Sequence, residues 1–167
     1  SRAYLGVESG SDRVLTAIHK GCDAATMLKA GQALVAAGID LWVTVILGLT
    51  GKGGDWEEHI LKTADIINQM KPRHLSAMTL GAAKGTPLGD DVLAGRFVMA
   101  EPQQILEECH LLIEKLNVDP LHFTSNHASN YLPLKGGLPE DREKFLSAID
   151  QALEGKIRLR KPLDRGI

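Results

Sequence analysis

The sequence has little cysteine. Only Cys22 and Cys109 occur in 167 residues, too few for a disulfide framework, and a reducing, cytoplasmic setting is expected. Long apolar runs are also missing. The longest, residues 41–49, is about half of what a membrane-spanning helix needs, so no membrane partner is expected. No basic-then-apolar leader opens the chain, and no secretion signal is expected. Net charge is nearly absent: 19 basic against 21 acidic residues leave −2. That provides no overall field to draw in nucleic acid, which is an unlikely partner.

What is present suits a folded domain. Apolar residues make up 44% and charged residues 24% of the chain, ordinary values for a globular protein, and the length fits one domain or most of one. The charge is uneven, however. Lys156, Arg158, Arg160, Lys161 and Arg165 against Asp164 put +4 on the last twelve residues and leave −6 on the rest. Such a run reads as a solvated tail, with docking of nucleic acid or an acidic partner as the alternative.

Strand and helix patterns alternate along the chain. Residues 3–7 predict a strand that stops at Glu8. Ser11 is placed to cap the helix that follows, with Val14, Leu15 and Ile18 at helical spacing. Asp23 can cap a second helix, with Met27, Leu28, Leu34 and Val35 on its apolar side and Gly38 closing it. Residues 41–47 are β-branched and almost uniformly apolar, which predicts a strand buried on both faces, as in parallel sheets. A glycine-rich loop, residues 48–54, leads to Asp55 and Glu58, a capping-box-like start to a helix through about Met70, where Pro72 blocks continuation. Residues 74–80 predict a third strand. A long loop over 81–96, interrupted by a short helix near 90–94, suggests function or mobility. Pro102 begins a helix through about Leu116, and residues 121–124 predict a fourth strand. A polar cluster fills 125–131. Pro139 begins a last helix, with Phe145, Leu146, Ile149 and Leu153 on one face.

This order predicts an α/β fold with parallel strands joined by right-handed crossovers. Ligands in such sheets bind at the carboxyl ends of the strands. Four polar or glycine-rich segments fall there: Glu8-Ser9, residues 48–54, residues 79–86 and residues 125–130. Glu8 is placed either to accept hydrogen bonds from a ribose diol or substrate amine, or to pair with Arg13 or Lys20 in a capping turn. The loop at 48–54 fails the phosphate-cradle pattern, because Ile46 stands where the first glycine belongs and Gly53 replaces the Ser/Thr. Asp55, Glu57 and Glu58 would also repel phosphate at that helix start. Close passage of glycine backbone past a flat ligand fits better. His19-x-x-Cys22 has metal-pair spacing without a second pair. Asp55-Trp-Glu-Glu-His59 reads as a capped helix turn. Asn126, His127 and Asn130 are placed to contact a substrate or to satisfy a polar turn.

The segment Gly6-Val7-Glu8-Ser9-Gly10-Ser11-Asp12-Arg13-Val14-Leu15, followed by Ile18-His19-Lys20-Gly21, closely resembles the fourth strand and helix of radical S-adenosylmethionine enzymes, in the methylthiotransferase and elongator-like branch. Ala37-Gly38-Ile39 and Val43-Thr44-Val45-Ile46-Leu47-Gly48-Leu49 are similar to that family's fifth strand. The likeness covers about residues 3–80. Residues 123–131 and 134–142 resemble an uncharacterised bacterial subgroup.

The resemblance implies the C-terminal half of an incomplete (β/α)6 TIM-like barrel. Residues 1–118 would form its last three βα units, and residues 119–167 a C-terminal extension of short strand, polar turn, helix and basic tail. By the same resemblance, Glu8 and Ser9 meet the ribose or amino group of S-adenosylmethionine. Lys20 stands where relatives often have an arginine for the methionine carboxylate. Thr44, Ile46 and Gly48 line the adenine, and backbone at Thr79 and Gly81 contacts its edge. Two positions depart from the pattern: the family has a glycine where Thr44 stands, and a glutamate where Gly51-Lys52 stand.

The family's [4Fe–4S] cluster is held by a three-cysteine motif, and Cys22 and Cys109 cannot supply it. The cluster ligands are therefore expected outside this chain, in a missing N-terminal half, and the chain alone is expected to be inactive. The intact enzyme would cleave S-adenosylmethionine reductively to a 5′-deoxyadenosyl radical acting on a small-molecule or unknown substrate. A barrel cut at its fourth strand leaves residues 3–7 without a neighbour, so a homodimer through that edge or the open sheet face is expected, unless the helix over 139–153 covers the opening. The competing readings are a fragment of another (β/α) barrel with a phosphate-binding loop, and a non-catalytic α/β interaction module.

Overall fold

The computed structural model describes residues 1–161. Five strands, β1 (Arg2–Glu8), β2 (Asp40–Leu47), β3 (His74–Thr79), β4 (Leu121–Thr124) and β5 (Lys135–Leu138), form one sheet in sequence order. The first four run parallel, and β5 is antiparallel to β4. The helices are α1 (Asp12–Ala17), α2 (Ala24–Ala36), α3 (Trp56–Met70), α4 (Pro87–Leu93), α5 (Pro102–Lys115) and α6 (Arg142–Leu153). The expected α/β class therefore holds, with a mostly parallel sheet. β4 and β5, which fall in the expected extension after residue 118, hydrogen-bond into the same sheet as the first three strands. No helix among the described residues is long and apolar enough to cross a membrane.

One face of the sheet carries the core. Helices α2, α3, α5 and α6 pack side by side in a row, α2 on α3, α3 on α5 and α5 on α6. Leu41, Val43, Val45 and Leu47 of β2 point into that layer and are buried, while Trp42, Thr44 and Ile46 alternate to the other face and stay half-exposed. β2 is thus not buried on both faces. Its apolar residues on the open side are Trp42 and Ile46, and a two-residue period decides which side each takes. The strands align so that Tyr4, Trp42, His74 and His122 share one line across the open face, and Gly6, Thr44, Ser76 and Thr124 the next.

Several features differ from the sequence expectation. β5 reads Lys-Gly-Gly-Leu and has no strand signature. It forms because Gly136 lies where an added Cβ would run into the Asp141 carboxylate and sit 2.8 Å from Phe145 Cζ, and because Asp141 Oδ2 accepts from Gly137 N at 2.9 Å. That turn delays α6 to Arg142. The short helix in the long loop starts earlier, at Pro87, because the Thr86 hydroxyl accepts from Gly89 N at 3.1 Å and proline takes the first helical position. Neither Ser11 nor Asp55 makes the expected side-chain cap. The basic tail is not a free solvated run up to residue 161. Ile157 and Leu159 pack against the core, and Arg160 donates to the carbonyls of Asn126 and His127 at 3.3 and 2.9 Å. Arg165 and Asp164 lie outside the described residues.

Candidate functional site

The carboxyl end of β1 is built around an irregularity. The β1–β2 register slips between Gly6 and Glu8, and Glu8 takes a left-handed backbone with φ of 63°. Non-glycine residues rarely do this except where the surroundings impose it, often at functional positions. The turn folds the Glu8 side chain back over Gly6. A Cβ on Gly6 would collide with Glu8 Oε1 and lie 3.3 Å from Lys20 Nζ, so a side chain there would push the two charged groups out of their present positions. Lys20 arrives from beyond α1 and pairs with Glu8 Oε1 at 3.3 Å, both side chains being three-quarters or more buried. Of the two partners the sequence allowed for Glu8, the structure selects Lys20. Arg13 instead pairs with Glu58 at 2.8 Å and Asp55 at 3.6 Å. The second carboxylate oxygen, Glu8 Oε2, is buried with no hydrogen-bond partner. An unsatisfied buried acceptor is uncommon and calls for a donor.

Ser9 faces the opposite way. It is fully buried, and its hydroxyl lies 2.8 Å from His59 Nδ1 and accepts from Ser11 N at 3.0 Å. His59 Nε2 lies 3.0 Å from the Ile46 carbonyl. A carbonyl only accepts, so Nε2 carries the ring proton and Nδ1 accepts from the Ser9 O–H. Thr63, one turn along α3, accepts from Gly10 N at 2.9 Å and donates to the His59 carbonyl at 2.6 Å. Burial holds the His59 imidazole below its ordinary pKa, which fits its neutral, accepting role. The sequence reading saw only a helix turn here. The available signal was a histidine on the apolar side of an amphipathic helix, four residues before Thr63.

Of the adenine-side positions, Thr44 and Ile46 lie on the open face of β2, in line with Ser76 and Met78 of β3. Gly48, with φ of 83°, begins the glycine-rich loop. The loop's polar backbone is taken up by α5. Gly48 N donates to Glu108 Oε2 at 2.6 Å, Gly53 N to Gln104 Oε1 at 3.2 Å, and Gln104 Nε2 to the Gly51 carbonyl at 2.9 Å. Lys52 pairs with Glu101 at 2.6 Å. The loop is therefore a strap fastened to a helix, which counts against a phosphate cradle.

Glu108, which the sequence did not single out, is fully buried and accepts a second bond from Gln104 Nε2 at 2.9 Å. Burial raises its carboxyl pKa. The folded protein then holds this proton more readily than the unfolded chain, so the stability linked to it declines as pH rises above about 4.5, the ordinary carboxylate range. Glu108→Gln, which cannot ionise, is expected to flatten that decline in urea denaturation followed over pH. An unchanged slope would contradict the assignment.

The third rim segment is closed by the fourth. Thr79 is buried and donates from Oγ1 to Asn130 Oδ1 at 2.9 Å. Its amide donates to Ser129 Oγ at 3.2 Å, and Asn130 Nδ2 donates to the Ala77 carbonyl at 3.0 Å. Asn130 thus pins the end of β3 with its whole amide. Asn126 and His127 are exposed, with His127 Nδ1 accepting from Ser129 N at 3.1 Å, and Gly81 is exposed beyond Thr79. The structure therefore brings Gly6, Glu8 and Lys20 together at the β1 end, with Thr44 and Ile46 on the neighbouring strand. Ser9 and Asn130 sit in structural networks instead. At the amino ends of the strands, Trp42 and His74 stack at 3.9 Å, Arg2 lies 4.6 Å over the Trp42 ring and Trp42 Nε1 donates to Asp40 at 3.0 Å. The sequence reading did not identify this layer.

Among the described residues no group of three or more histidine, cysteine or acidic side chains is placed to hold a metal. Cys22 is exposed, and Cys109 is buried on α5 with its thiol pKa pushed up to about 12 by desolvation.

No protein-family model matches the chain. An uncharacterised protein of Methanocaldococcus jannaschii is 29% identical over 124 residues, covering 69% of this chain and 38% of that protein. The fold is similar to that of archaeal Methanocaldococcus infernus Elp3 with its N-terminus deleted, at a TM-score of 0.61 and 18% identity, covering 96% of this chain and 37% of that one. The chain spans well under half the length of these two proteins, and its α/β fold is similar to that of part of the Elp3 structure.

Proposed function

We propose that this chain is the S-adenosylmethionine-side portion of a radical S-adenosylmethionine enzyme. The observation that carries the reading is the Glu8–Lys20 cradle over Gly6, with Glu8 Oε2 buried and unpartnered. A ligand bearing both a carboxylate and hydroxyl or amine donors meets both needs. Lys20 supplies a cation for the methionine carboxylate, and Glu8 accepts from the ribose diol or the amine. The open faces of Thr44 and Ile46 next to it fit the adenine side. Gly48 contributes its place in the turn and not its amide, which Glu108 holds. The likeness in fold to Elp3, a radical S-adenosylmethionine protein, supports the same reading. When bound beside a reduced iron–sulfur cluster, this cofactor supplies a carbon-centred radical. The cluster does not fit here: the two thiols do not form a three-cysteine set, so its ligands belong to another part of a longer protein. A cytoplasmic location and a small-molecule substrate complete the proposal.

Glu8→Ala and Lys20→Ala are each expected to weaken S-adenosylmethionine binding by about 1–3 kcal/mol, the scale for a hydrogen bond to a charged group. Equilibrium dialysis with labelled ligand measures this, and wild-type affinity in both variants would overturn the assignment.

A further inference from the structure

We propose that His59 is a positioning residue that sets the Glu8 turn and the end of β2 in one fixed relation, so that Glu8 and Ile46 face the same ligand. The inference rests on the reading of Glu8 as a ligand contact. It starts from the fact that the left-handed turn at Glu8 has little to hold it locally. Ser9 N donates to the Val7 carbonyl at 2.7 Å, and the register with β2 slips between Gly6 and Glu8. What fixes it is α3. His59 receives the Ser9 hydroxyl on one nitrogen and donates to the Ile46 carbonyl with the other, at 2.8 and 3.0 Å. One planar ring therefore measures the gap between two strand ends that carry different parts of the site. Thr63 repeats the tie one residue further along, through Gly10 N.

The arrangement works only with a neutral ring. Protonated Nδ1 would turn its N–H toward Ser9, whose oxygen already accepts from Ser11 N. The Ser9 proton would then have no acceptor among its present partners, in a site with no exposed surface, and a charge would be buried with it. Around the ring, β1's turn presents Ser9, β2 the Ile46 carbonyl and α3 the Thr63 hydroxyl. The charged groups that act on it are Glu58 of its own helix, favouring the cation, and Arg13 of α1, opposing it. Burial is the largest influence and keeps the ring neutral. Acidification below the usual histidine range thus works against the tie.

The test uses the 167-residue chain and S-adenosylmethionine at millimolar concentration, with affinity read from 15N NMR shifts between about pH 7.5 and about pH 4.5, a range carried below the usual histidine pKa because burial lowers that of His59. Wild-type affinity is expected to fall as the ring titrates. His59→Gln, which can donate to Ile46 and accept from Ser9 without titrating, is expected to stay within about threefold of wild type at the upper pH and to lose the acid fall-off. His59→Leu is expected to bind about tenfold or more weakly. A role in stability alone would lower the melting temperature of His59→Leu and leave the pH profile of binding unchanged by His59→Gln. An acid fall-off that persists in His59→Gln, or a folded His59→Leu with wild-type affinity, overturns the inference. If His59→Leu does not fold, the His59→Gln profile decides. Glu8→Ala separates the two levels: if it binds as wild type does, the reading of Glu8 as a contact fails, and this inference fails with it.

Discussion

Gly10→Ala is expected to destabilise the protein by about 1–3 kcal/mol or more, the range for forcing extra volume into a packed contact. A Cβ on Gly10 would be driven into the Lys62 carbonyl and lie 2.7 Å from Thr63 N. All of these are backbone atoms of α3, which cannot rotate away as a side chain can. The helix has to lift from the turn, and with it go the Thr63 bond to Gly10 and the His59 bond to Ser9. The same change should weaken the ligand site, because the Glu8 turn loses its support. Urea denaturation checks the first effect. A midpoint within experimental error of wild type would show that the turn and α3 are not in the close contact described.

Phe123→Ala should cost more, about 3–5 kcal/mol, the scale for emptying a buried aromatic site. Phe123 has no exposed surface. It stands in register with Leu75 on one side and Gly136 on the other, and its ring packs on Phe145 at 5.9 Å with a 48° tilt. This contact joins the parallel part of the sheet to β5 and α6. Gly136 has no side chain to fill the void, and Asp141 fixes the backbone there, so collapse around the cavity is limited. A loss below about 1 kcal/mol in thermal or urea unfolding would contradict this packing.

How much of this was legible in the sequence depends on what each signal encodes. The parallel strands and long helices follow from hydrophobic period and glycine–proline punctuation, which act over neighbouring residues. β2 was located correctly, but its run of apolar residues concealed that Trp42 and Ile46 serve the open face. Composition does not say whether a second layer covers a strand. β5 was not legible, because Lys-Gly-Gly-Leu has no strand propensity and depends on a cross-strand partner and on Asp141. In the site, Glu8 and Lys20 were visible as charges beside a strand end, but their meeting over Gly6 depends on a turn geometry that no spacing announces. Ser9 and Asn130 looked like ligand groups because they are polar and lie at the rim. Their hydroxyl and amide are instead used to fasten α3 and β3. The roles of His59 and Glu108 are not legible for the complementary reason: each lies within a helix, and its partner at the site, the Ser9 hydroxyl or the Gly48 amide, is 50 or 60 residues away in sequence.

The central claim is that the carboxyl end of β1 is where this chain meets S-adenosylmethionine. A 15N NMR titration of the 167-residue chain with that ligand tests it most directly. The expected result is a set of saturable shifts at Gly6, Glu8, Lys20, Thr44 and Ile46 that disappears in Lys20→Ala. Shifts confined to the Trp42–His74 end of the sheet, or none at millimolar ligand, would contradict it.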